Sequence, residues 1–527
     1  MISRYLKKSI NFILTSYIFI IAVIYPLFMT SGGYSSIGND KYNFYRTATL
    51  AMLVLVLIFV ILFWLCNKKE SPGGTASKIM QVFPLNGLQS FIWTQWAAII
   101  FLAIAAVSWF FSSYRTTAWQ GAAGWFIGLE TLLFMVFTYF LISFLWKYYE
   151  NIWLFFLAGS GITFILGILN RFSFYLFEFD LMAPHFISTL GNINWGAGYF
   201  SVMWPVGVGL YLFSGKRYQR YSAGVYTFIA MSYGIVQGAD SAFLSFGAVF
   251  FLLFIICLGQ WEKYGASYLE LIMAWCLTCQ FMRLVRVILP TRFNYGAEGI
   301  GGFLTDSNLS IYLLLLVIIP YLLTKTKADF FFRFINNRLT KKIVIFVPIV
   351  AILIFTILII VNTITPNGIG LTEMAVFTYN ENWGSSRGAT WNLGVELFIR
   401  MNPVQKLIGL GPDCFSEYLY SFPDLISLSN EYFGMQLLKN AHNETLTTLV
   451  NVGILGTLAY FSIFVTFFVR FVKQGKANAI MYIPAVCVFS YVIHNMVSFG
   501  QILNLPFIFI IMGIGENSKI TSKVRTY

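Results

Sequence analysis

Residues 343–362 read IVIFVPIVAILIFTILIIVN, twenty residues without a charge, entered directly from Lys341 and Lys342. At ~1.5 Å per residue, a helix of that length crosses a ~30 Å hydrocarbon core. A membrane β-barrel would instead show alternating segments of ~10 residues. Working outward, the same kind of run recurs near residues 10–30, 47–66, 89–111, 121–145, 151–169, 195–213, 222–238, 241–259, 268–288 and 308–324. It recurs again near 443–469, 479–499 and 502–516. The chain is 58% hydrophobic and 10% charged, against about 45–50% and 25% in soluble domains. These features predict an all-α polytopic membrane protein with about fourteen transmembrane helices, forming a single membrane domain over residues 1–527. Arg4, Lys7 and Lys8 precede an apolar run too long for a signal peptide and without a clear cleavage site, so a retained first span is expected.

The net charge of +13 would suggest nucleic acid in a soluble protein. Here the charges lie in short loops between spans, and the positive-inside rule accounts for them without nucleic acid. With both termini inside, 23 of the 34 Lys and Arg residues fall on the cytoplasmic side. The residues left outside are mostly arginines: Arg46, Arg115, Arg171, Arg283, Arg286, Arg292, Arg387 and Arg400. Arginine presents a planar fork of donors matched to phosphate, so an arginine-rich outer face suggests phosphate recognition there. Interfacial snorkelling is the alternative for Arg46, Arg115 and Arg292. Cys276 and Cys279 have redox-motif spacing but lie in an apolar run, where they read as small packing residues.

The longest polar stretch, residues 363–442, is expected to be a large external loop containing short helices. Ser385 and Ser386 are placed to cap a helix from Arg387 to about Met401, stopped by Asn402-Pro403. Trp391, Val395 and Phe398 fall on one face of that helix, and Glu396 pairs with Arg400 at i,i+4. A cation in the first turn opposes the helix dipole, so Arg387 suggests a ligand. Three histidines exist: His185, His442 and His494. His442 stands at the entry to the 443–469 run, where the positive helix end favours neutral imidazole, the form a general base needs. Glu444 would either orient the ring or favour its charged form. His494 near a span end is a site candidate on membrane grounds, with helix packing as the bland alternative.

No metal-binding HxxxH spacing occurs, and Glu178-Phe179-Asp180 is the closest approach to a metal triplet. Neither a phosphate-cradling GxxxxGK[ST] loop nor a Ser-His-Asp signature is present.

Three stretches together resemble the bacterial O-antigen ligase and Wzy-type polymerase family of integral membrane glycosyltransferases. They are Gly191-Asn-Ile-Asn194-Trp-Gly-Ala-Gly198; Ser386-Arg387-Gly388 with Trp391, followed by Gly409-Leu-Gly411-Pro412; and His442-Asn443-Glu444 followed by Gly453 and Gly456. The resemblance implies transfer from an undecaprenyl-diphosphate-linked oligosaccharide donor to a hydroxyl of a glycan or glycolipid acceptor. It also implies a site on the outer face of the cytoplasmic membrane, within the lipid bilayer, without metal or other cofactor. By motif, His442 is the base and Arg387 the catalytic or diphosphate arginine. One departure stands out: where relatives show Ser-Arg-Gly, this chain has Asp240-Ser241-Ala242. Arg283 and Arg286, three apart near the outer end of the ninth span, are the expected substitutes. Arg171, Asn194, Asn443 and His494 join them as candidate substrate contacts. A transporter or flippase of an anionic substrate, and a scaffold without chemistry, are the competing readings; ligase and polymerase are not separable from sequence.

Overall fold

A computed structural model describes residues 2–68, 91–177, 180, 183, 186–293, 299–365, 370–371 and 374–517. It is almost wholly helical; the strands among the described residues are one antiparallel pair, Phe186–Ile187 against Gly191–Asn192.

Nine helices among the described residues are long and apolar enough to cross a membrane. A tenth crossing exists if Ile300–Asp306 and Leu309–Lys325, bent by 69°, act as one span. Leu129–Leu145, Ala479–Asn495 and Leu505–Glu516 are apolar but shorter, and Arg217–Val236 opens with charged and polar residues. Each of the fourteen expected stretches overlaps a helix, while the count of fourteen crossings stays an expectation. The 343–362 run lies in the Arg338–Ile364 helix, where Asn362 is the buried residue. An apolar helix exposed around nearly its whole surface needs lipid as its solvent.

The centre of the molecule is the Ile193–Phe213 helix, buried along nearly all its length. Small residues allow the close approach. A Cβ on Gly196 would lie 2.2 Å from the Tyr233 hydroxyl, and one on Gly209 would meet Ile483 at 3.0 Å. Several charged groups inside are paired. Lys41 donates to the carbonyls of Tyr25 and Pro26 at 2.9 Å. Arg46 pairs with Glu130 at 3.1 Å, and the Tyr42 hydroxyl donates to the same carboxylate. Arg46 is thus a structural cation, and Arg115 and Arg292 lie over the rings of Phe110 and Phe174.

Residues 374–442 fold into short helices over a separate apolar cluster containing Leu393, Leu397, Phe415, Leu419 and Ala441. The buried stripe of the Trp383–Arg400 helix is Ala389, Leu393 and Leu397, whereas Val395 on the expected face is exposed. The Glu396–Arg400 pair forms at 2.9 Å, and Asp424 joins it at 2.6 Å.

Candidate active site

The loop is seated on a break in the Glu444–Gly475 helix. Gly453 has φ +71°, which interrupts the helical ladder and frees the carbonyls of Val450 and Asn451. Buried carbonyls need donors. Leu410 N–H donates to both, at 3.2 and 3.1 Å, and Gly411 N–H donates to Asn451 at 2.9 Å. Gly409 (φ +81°) comes so close that a Cβ there would lie 2.3 Å from the Asn451 carbonyl oxygen. The Gly409–Pro412 and Gly453–Gly456 motifs are therefore two halves of one joint.

That joint sets the entry to the helix, where His442 stands. Asn443 caps the helix, its Oδ1 accepting from Thr445 and Leu446 N–H at 2.9 and 3.1 Å. Asn440 Oδ1 accepts the His442 N–H at 2.9 Å. Held between two asparagines, His442 adopts φ +48°, a left-handed conformation that costs free energy in a non-glycine residue. Its ring meets Phe499 edge-on at 5.0 Å. Among the described residues, no group hydrogen-bonds either ring nitrogen. The ring lines a cavity of about 370 Å³ with Asn192, Asn194, Trp195, Lys439 and Asn440. Burial, and then the charge of Arg387, lower its pKa to about 3. The imidazole is therefore neutral at physiological pH.

Arg387 follows three consecutive left-handed residues, Gly384, Ser385 and Ser386, at φ +61°, +62° and +63°. The expected serine cap does not form. The preceding main chain covers the helix start instead: Ala389 N–H donates to Glu381 O at 2.9 Å. Gly388 gives the space, since a Cβ there would lie 1.8 Å from Asn380 O. The guanidinium donates through Nε to Val497 O at 2.8 Å and through Nη1 to Gly384 O at 2.5 Å. Its Nη2 has no acceptor among the described residues. Burial lowers its pKa, and Asp240 acts against that shift. At the position of the departure, then, stands an acid whose charge acts on Arg387. Asp240 also holds the Ile300 N–H at 3.0 Å.

Glu444 does not orient His442. Its carboxylate points into the core, accepting from Gly500 N–H at 2.6 Å and from the Tyr460 hydroxyl at 2.9 Å. Of the candidate substrate contacts, Asn194 shares the His442 cavity and Asn443 supports the histidine from its cap. Arg171 is buried and donates to Gln237 O. His494 is buried, with Nδ1 2.9 Å from Asn495 Oδ1. Arg283 donates to Asn308 at 3.0 Å, and Arg286 pairs with Asp306 at 2.8 Å. Both line another recess, of about 590 Å³, that shares no lining residue with the His442 cavity. They are not neighbours of the expected base.

Lys439 and Phe499 line the His442 cavity and were not anticipated, nor were the parts played by Asp240 and by Asp413, which lies outside that cavity. Asp413 (φ +61°) receives the Ala122 and Ile127 N–H groups at 2.8 and 3.0 Å, and burial raises its pKa to about 7. Its place directly after Gly411-Pro412 was the one signal in the sequence. Among the described residues, no group of three or more His, Cys, Asp or Glu is assembled for a metal. Glu178 and His185 lie outside the described residues.

Residues 298–461 match the family model described as O-antigen ligase, a segment that contains Arg387, the Gly409–Pro412 and Gly453–Gly456 joint, and His442. No curated protein matches the chain.

Proposed function

We propose that this chain, which carries an O-antigen ligase domain over residues 298–461, transfers a glycan from an undecaprenyl-diphosphate carrier to an acceptor hydroxyl. The reaction takes place at the outer face of the cytoplasmic membrane, with both chain termini inside. The observation that carries this reading is the neutral His442 ring, without a hydrogen bond from the described residues and open to a cavity it shares with Asn194. Arg387 stands near enough for its charge to act on that ring.

His442 accepts the proton of the acceptor hydroxyl as its oxygen attacks the anomeric carbon. The bond from that carbon to the diphosphate oxygen breaks, and both its electrons leave with the diphosphate. Arg387, with its Nη2 open, stabilises the charge that develops on the leaving oxygen. Direct displacement inverts the anomeric centre. A bound diphosphate also offsets the cationic field of Arg387, raising the basicity of His442 once the donor is in place. The proton then passes from His442 to the departing diphosphate or to water.

Reconstitution with a lipid-diphosphate-linked oligosaccharide tests the reaction: a ladder of products identifies a polymerase, and a single transferred unit identifies a ligase. Loss of activity with chelator would contradict the metal-free route. His442→Ala should insert normally and lose turnover by roughly 10²–10⁴-fold. Arg387→Ala should lose on the order of 10²–10³-fold. Near-normal turnover in either variant removes that residue from its role.

A further inference from the structure

Residues 496–504 form the turn between the Tyr482–Asn495 and Leu505–Glu516 helices, beyond the segment matched to the ligase family. No motif marks it. Yet the stretches identified as functional all converge on it. Val497 O accepts from Arg387 Nε at 2.8 Å. Phe499 supplies the ring against which His442 packs. Gly500 N–H donates to Glu444, two residues after His442, at 2.6 Å. Gln501 Nε2 donates to Trp195 O at 3.2 Å. Gly198 leaves the turn its room: a Cβ there would lie 2.8 Å from Asn504 Nδ2 and 3.1 Å from Gln501 Nε2.

The turn has little regular backbone bonding of its own and is tied by side chains. Asn504 Oδ1 accepts from Gln501 N–H at 2.8 Å, and its Nδ2 donates to Phe499 O at 3.2 Å. Ser498, Gln501 and Asn504 are buried. Glu444 reaches the turn from the helix that begins beside His442. The other oxygen of Glu444 is held by the Tyr460 hydroxyl, which lies 3.0 Å from that of Tyr491. The acid is thereby braced at both ends.

We infer that Glu444 is a positioning residue. By holding Gly500 N–H it clamps the 496–504 turn, which in turn sets His442 and Arg387 at one mutual geometry. This rests on the roles proposed above for His442 and Arg387. Releasing the clamp leaves both side chains present but misplaced, and a misplacement of about 1 Å costs on the order of 10²-fold in rate.

The test compares Glu444→Ala, Glu444→Gln and Gly500→Ala in the reconstituted transfer assay. Glutamine keeps a carbonyl oxygen that can accept from Gly500 N–H but removes the charge. A Cβ on Gly500 would lie 2.9 Å from Glu444 Oε1 and strain the same contact from the other side. Glu444→Ala should lose on the order of 100-fold in kcat, with Glu444→Gln restoring most of it. Its acid limb in kcat/KM should also move to higher pH, because His442 loses the packing of Phe499 and becomes better hydrated. A purely structural defect lowers the amount of folded enzyme without moving that limb. Wild-type kcat and limb in Glu444→Ala overturn the inference, as does an equal loss in Glu444→Ala and Glu444→Gln, which would assign the effect to charge. If Glu444→Ala does not fold, Gly500→Ala decides: it should show the same loss and the same shift, and unchanged values overturn the clamp. The two levels fail separately. Retained turnover in His442→Ala removes the base, whereas a dead His442→Ala beside an unaltered Glu444→Ala removes only the clamp.

Discussion

His442 combines a left-handed backbone with a ring whose nitrogens find no hydrogen-bond partner among the described residues, and the flanking asparagines hold that costly conformation. Its lowered pKa of about 3 has a direct consequence. A base active in its neutral form loses activity as pH falls through its pKa, so the acid limb of kcat/KM assigned to His442 should lie well below the ordinary value near 6.5. A limb at 6.5 or above would mean a hydrated ring. Asp413 shifts the other way, to about 7, through burial. The folded state then binds a proton between about pH 4 and pH 7 that the unfolded state has released. By linkage, this contribution to stability is present at low pH and is lost as pH rises through 7. Asp413→Asn keeps an oxygen for the Ala122 and Ile127 N–H groups, so its melting midpoint should exceed that of wild type at pH 8 and match it at about pH 4. Equal midpoints at both pH values would show that the carboxyl stays ionised. His442 and Arg387 were legible because each stands at a helix start, where the dipole makes the residue type informative. Asp240 and Phe499 were not, since nothing local relates either to a residue more than fifty positions away.

At the scale of elements, glycines and carbonyls decided more than side-chain caps did. Ser385 and Ser386 look like a helix cap in sequence, but both are left-handed, and main-chain groups of 380–381 cover the helix start. The amphipathic face was also offset: Leu393 and Leu397 are buried because the apolar cluster under the loop lies on that side. Gly453 carries the larger burden. Alanine at φ +71° costs about 1–3 kcal/mol, and its Cβ would lie 2.4 Å from Leu407 O. Gly453→Ala should therefore loosen residues 403–442, seen as faster limited proteolysis in that segment and a lower melting midpoint. Cleavage at the wild-type rate would show that the joint tolerates a regular helix. Gly456, three residues on, lies in a regular helical stretch, and a Cβ there would lie 2.5 Å from the Val452 Cβ, which the backbone holds in place. Alanine there carries no left-handed strain, so its cost is the steric one alone.

For the whole molecule, the proposed orientation places residues 363–442 outside. Met435 is 91% exposed, and the cysteines of the described residues with described side chains are buried. Met435→Cys should then react with a membrane-impermeant maleimide added to intact spheroplasts. Labelling only after permeabilisation would reverse the topology. The membrane class followed from the sequence alone, because about twenty uncharged apolar residues in a row have no other solvent, and hydrocarbon demands that backbone groups pair within a helix. The identity of His442 and Arg387 as site candidates was equally available, since helix-terminal electrostatics are local. Only the tertiary structure brought those two to the same turn, put Arg283 and Arg286 in another recess, and turned Glu444 away from His442. Such pairings depend on where buried hydrogen-bond donors find acceptors across the fold, and that is a property of distances in space rather than of spacing along the chain.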